Sequence, residues 1–239
     1  MIKKIIPSRI KKLFYNTIKE HYNFPDYAEN YVRFQQEFLE ARKLNEAEIP
    51  SVDLKQKHIE NIKILLDRKE LLRHLPKNVV CAEIGVDRGD FSKSILELTH
   101  PKKLHLIDAW GDETRYHDGL KLIVQERFSV EIANGVIEIN KGLSTEILKN
   151  FPDEYFDWIY LDTNHTYSVT ADELNILKYK VKANGIIAGH DYIIGNWVGD
   201  CRYGVIEAVH ELCVRENWEL LFVTINKNEM PSFAIRRIQ

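Results

Sequence analysis

Val79-Val80-Cys81-Ala82-Glu83-Ile84-Gly85-Val86-Asp87-Arg88-Gly89-Asp90 is the stretch from which the rest of the chain can be placed. Its first six residues are short, almost wholly apolar and bounded by a turn signal, the pattern of a strand buried on both faces. Two glycines four apart follow, and residues 91–98 then take helical spacing. Glycines between a strand and a helix let the backbone turn tightly and approach a ligand closely. The spacing is not the G-x-G-x-x-G of a dinucleotide site, because Val86-Asp87 occupy the place of x-G.

Downstream, the same alternation repeats. Strands are expected at 103–108, 136–140, 156–162 and 185–189, with helices at 119–128, 144–150, 168–180 and 204–217. Two more strands, 220–225 and 233–238, are separated by a polar turn containing Pro231. Strands alternating with helices predict an α/β doubly wound parallel sheet, here of seven strands. The 226–232 connection is too short for a crossover helix, so the last two strands should form an antiparallel hairpin on that sheet.

Upstream, the pattern is helical. Tyr31, Phe34, Phe38, Leu39 and Ala41 share one face of an expected helix, and Ile59, Ile62, Leu65, Leu66, Leu71, Leu72 and Leu75 mark another that ends before Pro76. The expected division is thus a helical N-terminal extension, 1–76, and an α/β domain, 77–239. Within residues 1–20, six basic residues against Glu20 give +5, which leaves −8 for the rest of a chain whose net charge is −3. This stretch could lie on an anionic membrane surface, but an ordinary helix packing on its own domain or on a second copy, as a lid or homodimer surface, is the stronger expectation.

Composition bounds the partners. The 239 residues are 44% hydrophobic and 29% charged, enough to bury a core, and the net charge of −3 argues against a general nucleic-acid binder. Three scattered cysteines, Cys81, Cys201 and Cys213, fit buried thiols in a reducing, cytoplasmic setting rather than a disulfide framework. No apolar run approaches the roughly 18–20 residues that span a bilayer.

In doubly wound sheets, ligands bind at the carboxyl ends of the strands. The second strand ends in Asp108, whose carboxylate could accept from both hydroxyls of a ribose or could cap a helix. A glycine loop with a ribose acid indicates an adenosine-type ligand. The fourth strand ends in Asp162-Thr163-Asn164-His165, and the fifth in His190-Asp191-Tyr192. Buried aspartates need a partner, which a cation, a substrate hydroxyl or an arginine could supply. His165 and His190 could act as general bases or serve as structural hydrogen-bonding residues.

From about Lys77 onward, these segments resemble a class I S-adenosylmethionine (SAM)-dependent methyltransferase. The narrower resemblance is to small-molecule O-methyltransferases of the macrocin type, which act on sugars. It rests on residues 83–89, on Leu106-Ile107-Asp108-Ala109-Trp110, on residues 156–162 with His165 and Tyr167, on residues 182–192, and on Gly204-Val205-Ile206-Glu207-Ala208-Val209. The resemblance implies a Rossmann-like domain in which Glu83, Gly85 and Gly89 shape the pocket for the methionine part of SAM. Asp108 would hold the ribose, Ser144 would lie near the adenine, and Asp162 would stand beside the sulfonium. In metal-dependent relatives, an acid after the fourth strand and two ligands after the fifth hold Mg²⁺, and here those positions read Asp162, His190 and Asp191. His190 departs from that oxygen-only pattern, since imidazole suits Zn²⁺, Mn²⁺ or Fe²⁺ better. Asn184 takes the place of a turn glycine, for which its tolerance of the left-handed conformation suits it.

The expected reaction is methyl transfer from SAM to a hydroxyl of a small molecule such as a sugar, glycosylated metabolite or polyol. His165 would be the base, with Asp162 and Asp191 orienting the acceptor directly or through a divalent cation. Tyr192, Trp197 and Arg202, in the loop after the fifth strand, would line the acceptor's mouth. The competing readings are an NAD-dependent oxidoreductase, which would want the absent dinucleotide spacing, and a non-catalytic SAM-binding protein, which need not keep His165 and Asp191.

Overall fold

The computed structural model describes residue 33 and residues 49–111, 119–196 and 201–239. The basic stretch at 1–20, the expected helix at 31–41 apart from Arg33, and Trp197 lie outside the described residues. The chain divides into Met1–Ile49 and Pro50–Gln239, and the elements that follow belong to the second unit.

In chain order they are β1 (Lys63–Leu65), α1 (Arg68–His74), β2 (Val80–Ile84), α2 (Asp90–Thr99), β3 (Lys103–Asp108), α3 (Gly119–Arg127), α4 (Ser129–Ala133), β4 (Ile137–Lys141), α5 (Ser144–Ile147), β5 (Phe156–Leu161), α6 (Tyr167–Lys180), β6 (Val181–Gly189), β7 (Gly195–Asn196), β8 (Cys201–Arg202), α7 (Val205–Glu216), β9 (Trp218–Thr224) and β10 (Phe233–Arg237). Eight strands form one mixed sheet in the order β1-β9-β10-β6-β5-β2-β3-β4. β2 pairs in parallel with β3 on one side and β5 on the other. The chain leaves β2 in one direction and returns in the other, which opens a crevice at its carboxyl end. β10 lies antiparallel between β6 and β9, so the expected hairpin is present with its second strand inserted into the sheet.

Three expectations change. The sheet has eight strands rather than seven, because Lys63–Leu65, expected within a long helix, pairs in parallel with Phe222–Thr224. The helix over 59–75 shrinks to α1, whose start is fixed by Asp67 accepting from the Glu70 amide at 2.7 Å. Finally, residues 182–185 bulge out of β6, where pairing jumps from Phe156↔Val181 to Trp158↔Ile186, and Asn184 is not left-handed.

The sheet is covered on both faces, and alternate residues of each strand feed opposite cores. Cys81, Leu104, Leu106, Trp158, Tyr160, Ala188 and Ala234 join one, with Phe91 and Ile95 of α2. Ala82, Ile84, Ile107, Ile159, Leu161, Ile187 and Ile235 join the other, with Leu174 and Leu177 of α6 and Val209 of α7. This explains the nearly continuous apolar strands read from the sequence.

His105, in the middle of β3, is 2% exposed. Its ring is edge-on to Phe151, Tyr155 and Phe156, with centroids 4.9, 5.5 and 5.6 Å away. Nε2 lies 3.1 Å from the Tyr155 hydroxyl, while the buried Nδ1 has no hydrogen-bond partner among the described residues. Burial lowers its pKa to about 4, with Lys103 acting in the same direction and Glu138 against it. A pKa depressed on folding means that the unfolded chain takes up the proton first. The stability tied to this ring is complete above pH 6.5 and is lost as pH falls toward 4. Urea unfolding of His105→Phe should therefore show a drop between neutral pH and pH 5 smaller than the wild type's by about 1–2 kcal/mol. An unchanged drop would remove His105 as its source.

Candidate active site

The crevice is built around Gly85. The Asp162 amide donates to the Ile84 carbonyl at 2.8 Å, and the Gly85 amide donates to the Ile107 carbonyl at 2.9 Å. At φ +86°, a Cβ on residue 85 would lie 1.8 Å from the Asp162 carbonyl oxygen. Gly89, at φ +77°, caps α2 in the left-handed region. Asp108 closes the loop from the other side. Its Oδ2 accepts from the Val86 and Asp87 amides at 2.7 and 3.0 Å, and its Oδ1 from the Trp110 amide at 2.9 Å. Residues 109–111 are not helical, so Asp108 braces the glycine loop rather than capping a helix.

Beneath this loop lies Glu83, 1% exposed, with Ser92 donating to its carboxylate. Burial pushes the Glu83 carboxyl up to about 8, against the Ser92 hydrogen bond. Asp162 rises to about 7, first through burial and then through the charge of Asp191. His165 Nε2 stands 3.1 Å from Asp191 Oδ2, and the Tyr203 ring covers the imidazole at 4.7 Å between centroids. Burial lowers the His165 pKa, opposed by Asp191, and burial raises that of Asp191, opposed by His165. Asp191 itself sits at φ +55°, a conformation non-glycine residues seldom adopt outside turns and functional sites. One ligand atom from each of Asp162, His165 and Asp191 lies within 4.8 Å of the others.

Several expected residues take partners within the protein. His190 Nδ1 meets Ser232 Oγ at 3.1 Å, and Ser232 in turn meets the Tyr160 hydroxyl at 2.9 Å. The three-residue group therefore contains His165 where His190 was expected. Both residues follow the end of β6 at Gly189, and with Asp191 in the left-handed region the two neighbouring side chains take different partners. Tyr192 turns its hydroxyl to His210 Nε2 at 2.6 Å and packs on Phe233, so it does not line an acceptor mouth. Arg202 is engaged by Glu207 and by the Ile194 and Tyr203 carbonyls, fastening β8 to α7 instead of awaiting an acidic substrate. Ser144 donates to Glu173, a wholly buried α6 carboxylate that also accepts from Thr163 at 2.8 Å.

Two participants were missed in the sequence. Glu173 ties Ser144 to the residue after Asp162, and burial lifts its carboxyl to about 7. Arg68, at the start of α1, brings Nη1 to 3.8 Å from Asp162 Oδ2. Only an acid in the middle of an amphipathic helix hinted at the first, and nothing local marked the second.

Residues 82–192 match a family model described as a methyltransferase domain. No curated protein matches the chain in sequence. Solved structures share its fold at low identity. The pyocyanin biosynthetic protein PhzM is 16% identical with a TM-score of 0.54, over 71% of this chain and 54% of that one. This chain thus spans only about half of that relative's length. The Bacillus subtilis tRNA methyltransferase TrmK, acting at m1A22, is 15% identical with a TM-score of 0.52, over 73% and 67%. A Staphylococcus aureus protein provisionally named a caffeoyl-CoA O-methyltransferase is 15% identical with a TM-score of 0.52, over 96% and 100%. The family match and these likenesses indicate a class I SAM-dependent methyltransferase fold. Because that fold also serves a tRNA methyltransferase, it does not support the nucleic-acid exclusion drawn from net charge.

The approach at Gly85 gives a direct expectation. Gly85→Ala must displace the Asp162 backbone, so it should abolish binding of S-adenosylhomocysteine and lower the thermal midpoint by several degrees. Calorimetric titration showing intact binding would mean that the loop is not the cofactor cradle.

Proposed function

We propose that this chain transfers the methyl group of SAM to a hydroxyl of a small molecule, with a sugar or polyol of the kind used by macrocin-type enzymes as the leading acceptor class. The observation that carries this reading is the His165–Asp191 pair beside Asp162 at the carboxyl end of β5, next to the glycine loop. Glu83, Gly85 and Gly89 would form the floor of the cofactor site, Asp108 would reach the ribose, and Ser144 would border the adenine. An acidic centre of Glu83, Asp162 and Asp191 suits a cationic sulfonium.

Methyl transfer to an alcohol needs in-line alignment and removal of a proton. With its Nε2–H donated to Asp191, His165 has Nδ1 left as the proton acceptor. Its lowered pKa keeps that nitrogen unprotonated near neutral pH. Asp191 holds the ring and steadies the imidazolium once it forms. Asp191 also orients the acceptor hydroxyl, while Asp162, beside the glycine loop, faces the cationic methionine part of the cofactor.

The mutual reach of Asp162, His165 and Asp191 favours a second arrangement of the same chemistry. One imidazole and two carboxylates could hold a divalent cation of the Mn²⁺, Fe²⁺ or Zn²⁺ kind more readily than Mg²⁺. When bound there, it would lower the pKa of the acceptor hydroxyl.

S-adenosylhomocysteine at one hundred times its Kd should stabilise the protein by about 2.7 kcal/mol, and NAD should not. Stabilisation by NAD alone would overturn the cofactor assignment. His165→Ala should bind S-adenosylhomocysteine normally yet lose turnover by about 10²–10⁴-fold. Retained turnover would end the case for His165 as base. Dialysis against EDTA separates the two arrangements, since only the cation-assisted one loses activity and regains it on adding Mn²⁺.

A further inference from the structure

We propose that Arg68 receives the α-carboxylate of the cofactor's methionine part while Asp162 receives its α-ammonium, so that the two side chains form a clamp for an amino-acid zwitterion. This inference rests on the cofactor reading above. It assigns a binding role to a residue from α1, outside the segment matched by the methyltransferase domain model.

The placement begins with backbone. Asp162 leaves β5 directly beside Gly85, with its amide bonded to the Ile84 carbonyl and its own carbonyl filling the space a Cβ would take. Any ligand seated on the glycine loop therefore has the Asp162 carboxylate alongside it. Arg68 comes to the same spot from the opposite direction. Its guanidinium carbon lies 4.6 Å above the centre of the Phe91 ring in the first turn of α2, and Nη1 lies 3.8 Å from Asp162 Oδ2. Phe91 in turn packs on Tyr160 at 4.4 Å.

The guanidinium is held from behind. Glu229, in the β9–β10 turn, accepts from the Arg68 amide at 2.9 Å and stands 3.7 Å from Nε. Stacking on Phe91 and this carboxylate fix the plane of the fork, leaving the Nη1 side facing Asp162. The Arg68–Asp162 approach is loose. At 3.8 Å it is longer than a charge-assisted hydrogen bond, and the side chains keep 30% and 26% of their surface open to solvent. Two opposite charges side by side, partly open and not closed on each other, match the head of an α-amino acid in sign and spacing.

Charge points the same way. The Arg68 cation acts on Glu83, Asp162, His190 and Asp191 alike. Without it, three carboxylates would surround the loop, favourable to a sulfonium and an ammonium but repulsive to a carboxylate. A guanidinium at this point lets one site take both ends of the zwitterion.

The experiment is calorimetric titration of wild type, Arg68→Gln and Arg68→Lys with two ligands. One is S-adenosylhomocysteine, and the other is S-adenosyl-3-thiopropylamine, which lacks only the carboxylate. Wild type should bind the first about 10–100-fold tighter than the second, the range of one charge-assisted hydrogen-bonded pair. In Arg68→Gln this preference should collapse to within about twofold through loss of S-adenosylhomocysteine affinity, and Arg68→Lys, which keeps charge but not the fork, should fall between. Equal losses for both ligands would make Arg68 a general support of the pocket and overturn the clamp. The wild-type arm needs no variant to fold, and equal wild-type affinities would overturn the clamp by themselves. Wild type binding neither ligand would overturn the cofactor reading instead.

Discussion

The crevice depends on a backbone contact. β2 and β5 are parallel neighbours, and the chain leaving β2 must turn away within one residue of the chain leaving β5. Only the missing Cβ at Gly85 allows this, because that position is already taken by the Asp162 carbonyl. The contact holds two things in register at once. It opens the glycine loop toward the strand ends, and it sets Asp162 at the rim of that loop. Hydrogen bonds from both sides then hold the loop, through Ile107 below and Asp108 beyond. Asp108 spends one carboxylate oxygen on two loop amides, so the acid that would meet the ribose also fixes the loop that would carry the rest of the cofactor.

The second constraint is electrostatic. Burial pushes Glu83 to about 8 and Asp162 to about 7, so the centre resists full ionisation in the absence of positive charge. Arg68 offsets part of this, and a bound sulfonium would offset more. Acidic groups held near neutrality by burial release protons readily when a cation arrives. Affinity for a cationic ligand would thus be coupled to the protonation of the site.

How far the sequence could be read follows from which interactions are local. The strands from β2 to β6, the helices between them and the closing hairpin were legible because alternation and turn residues are written within each element. Gly85, Asp108, Asp162 and Asp191 were legible because the chemistry of a doubly wound sheet gathers at strand ends. β1 was not, since Lys63–Leu65 is a strand only through pairing with β9, some 160 residues away. His165 and His190 could not be ranked, because both lie in loops beyond the ends of β5 and β6, where the path of the backbone and not strand alternation decides which side chain meets Asp191. The positions of Tyr192 and Arg202 were both set by partners on α7, His210 and Glu207, which sequence proximity does not reveal. Arg68 was hidden for the same reason, since every contact that defines its position is tertiary.

The arrangement around His165 becomes intelligible when charge is followed through the proposed reaction. Before transfer, the pocket would hold one sulfonium cation and a neutral imidazole. As the methyl group moves to the acceptor oxygen, the C–S bonding pair stays on sulfur and the sulfonium becomes a neutral thioether. The hydroxyl proton passes to Nδ1 of His165, which becomes an imidazolium. The total charge of the pocket does not change; one positive charge moves from sulfur to the ring. A site whose carboxylates only stabilised the sulfonium would bind the reactant and oppose its loss. Asp191, 3.1 Å from the other ring nitrogen, places a carboxylate where the positive charge arrives. Asp162 beside the glycine loop and Asp191 beside His165 thus stand at the two ends of the charge's path. That division of labour explains why the site keeps two aspartates rather than one.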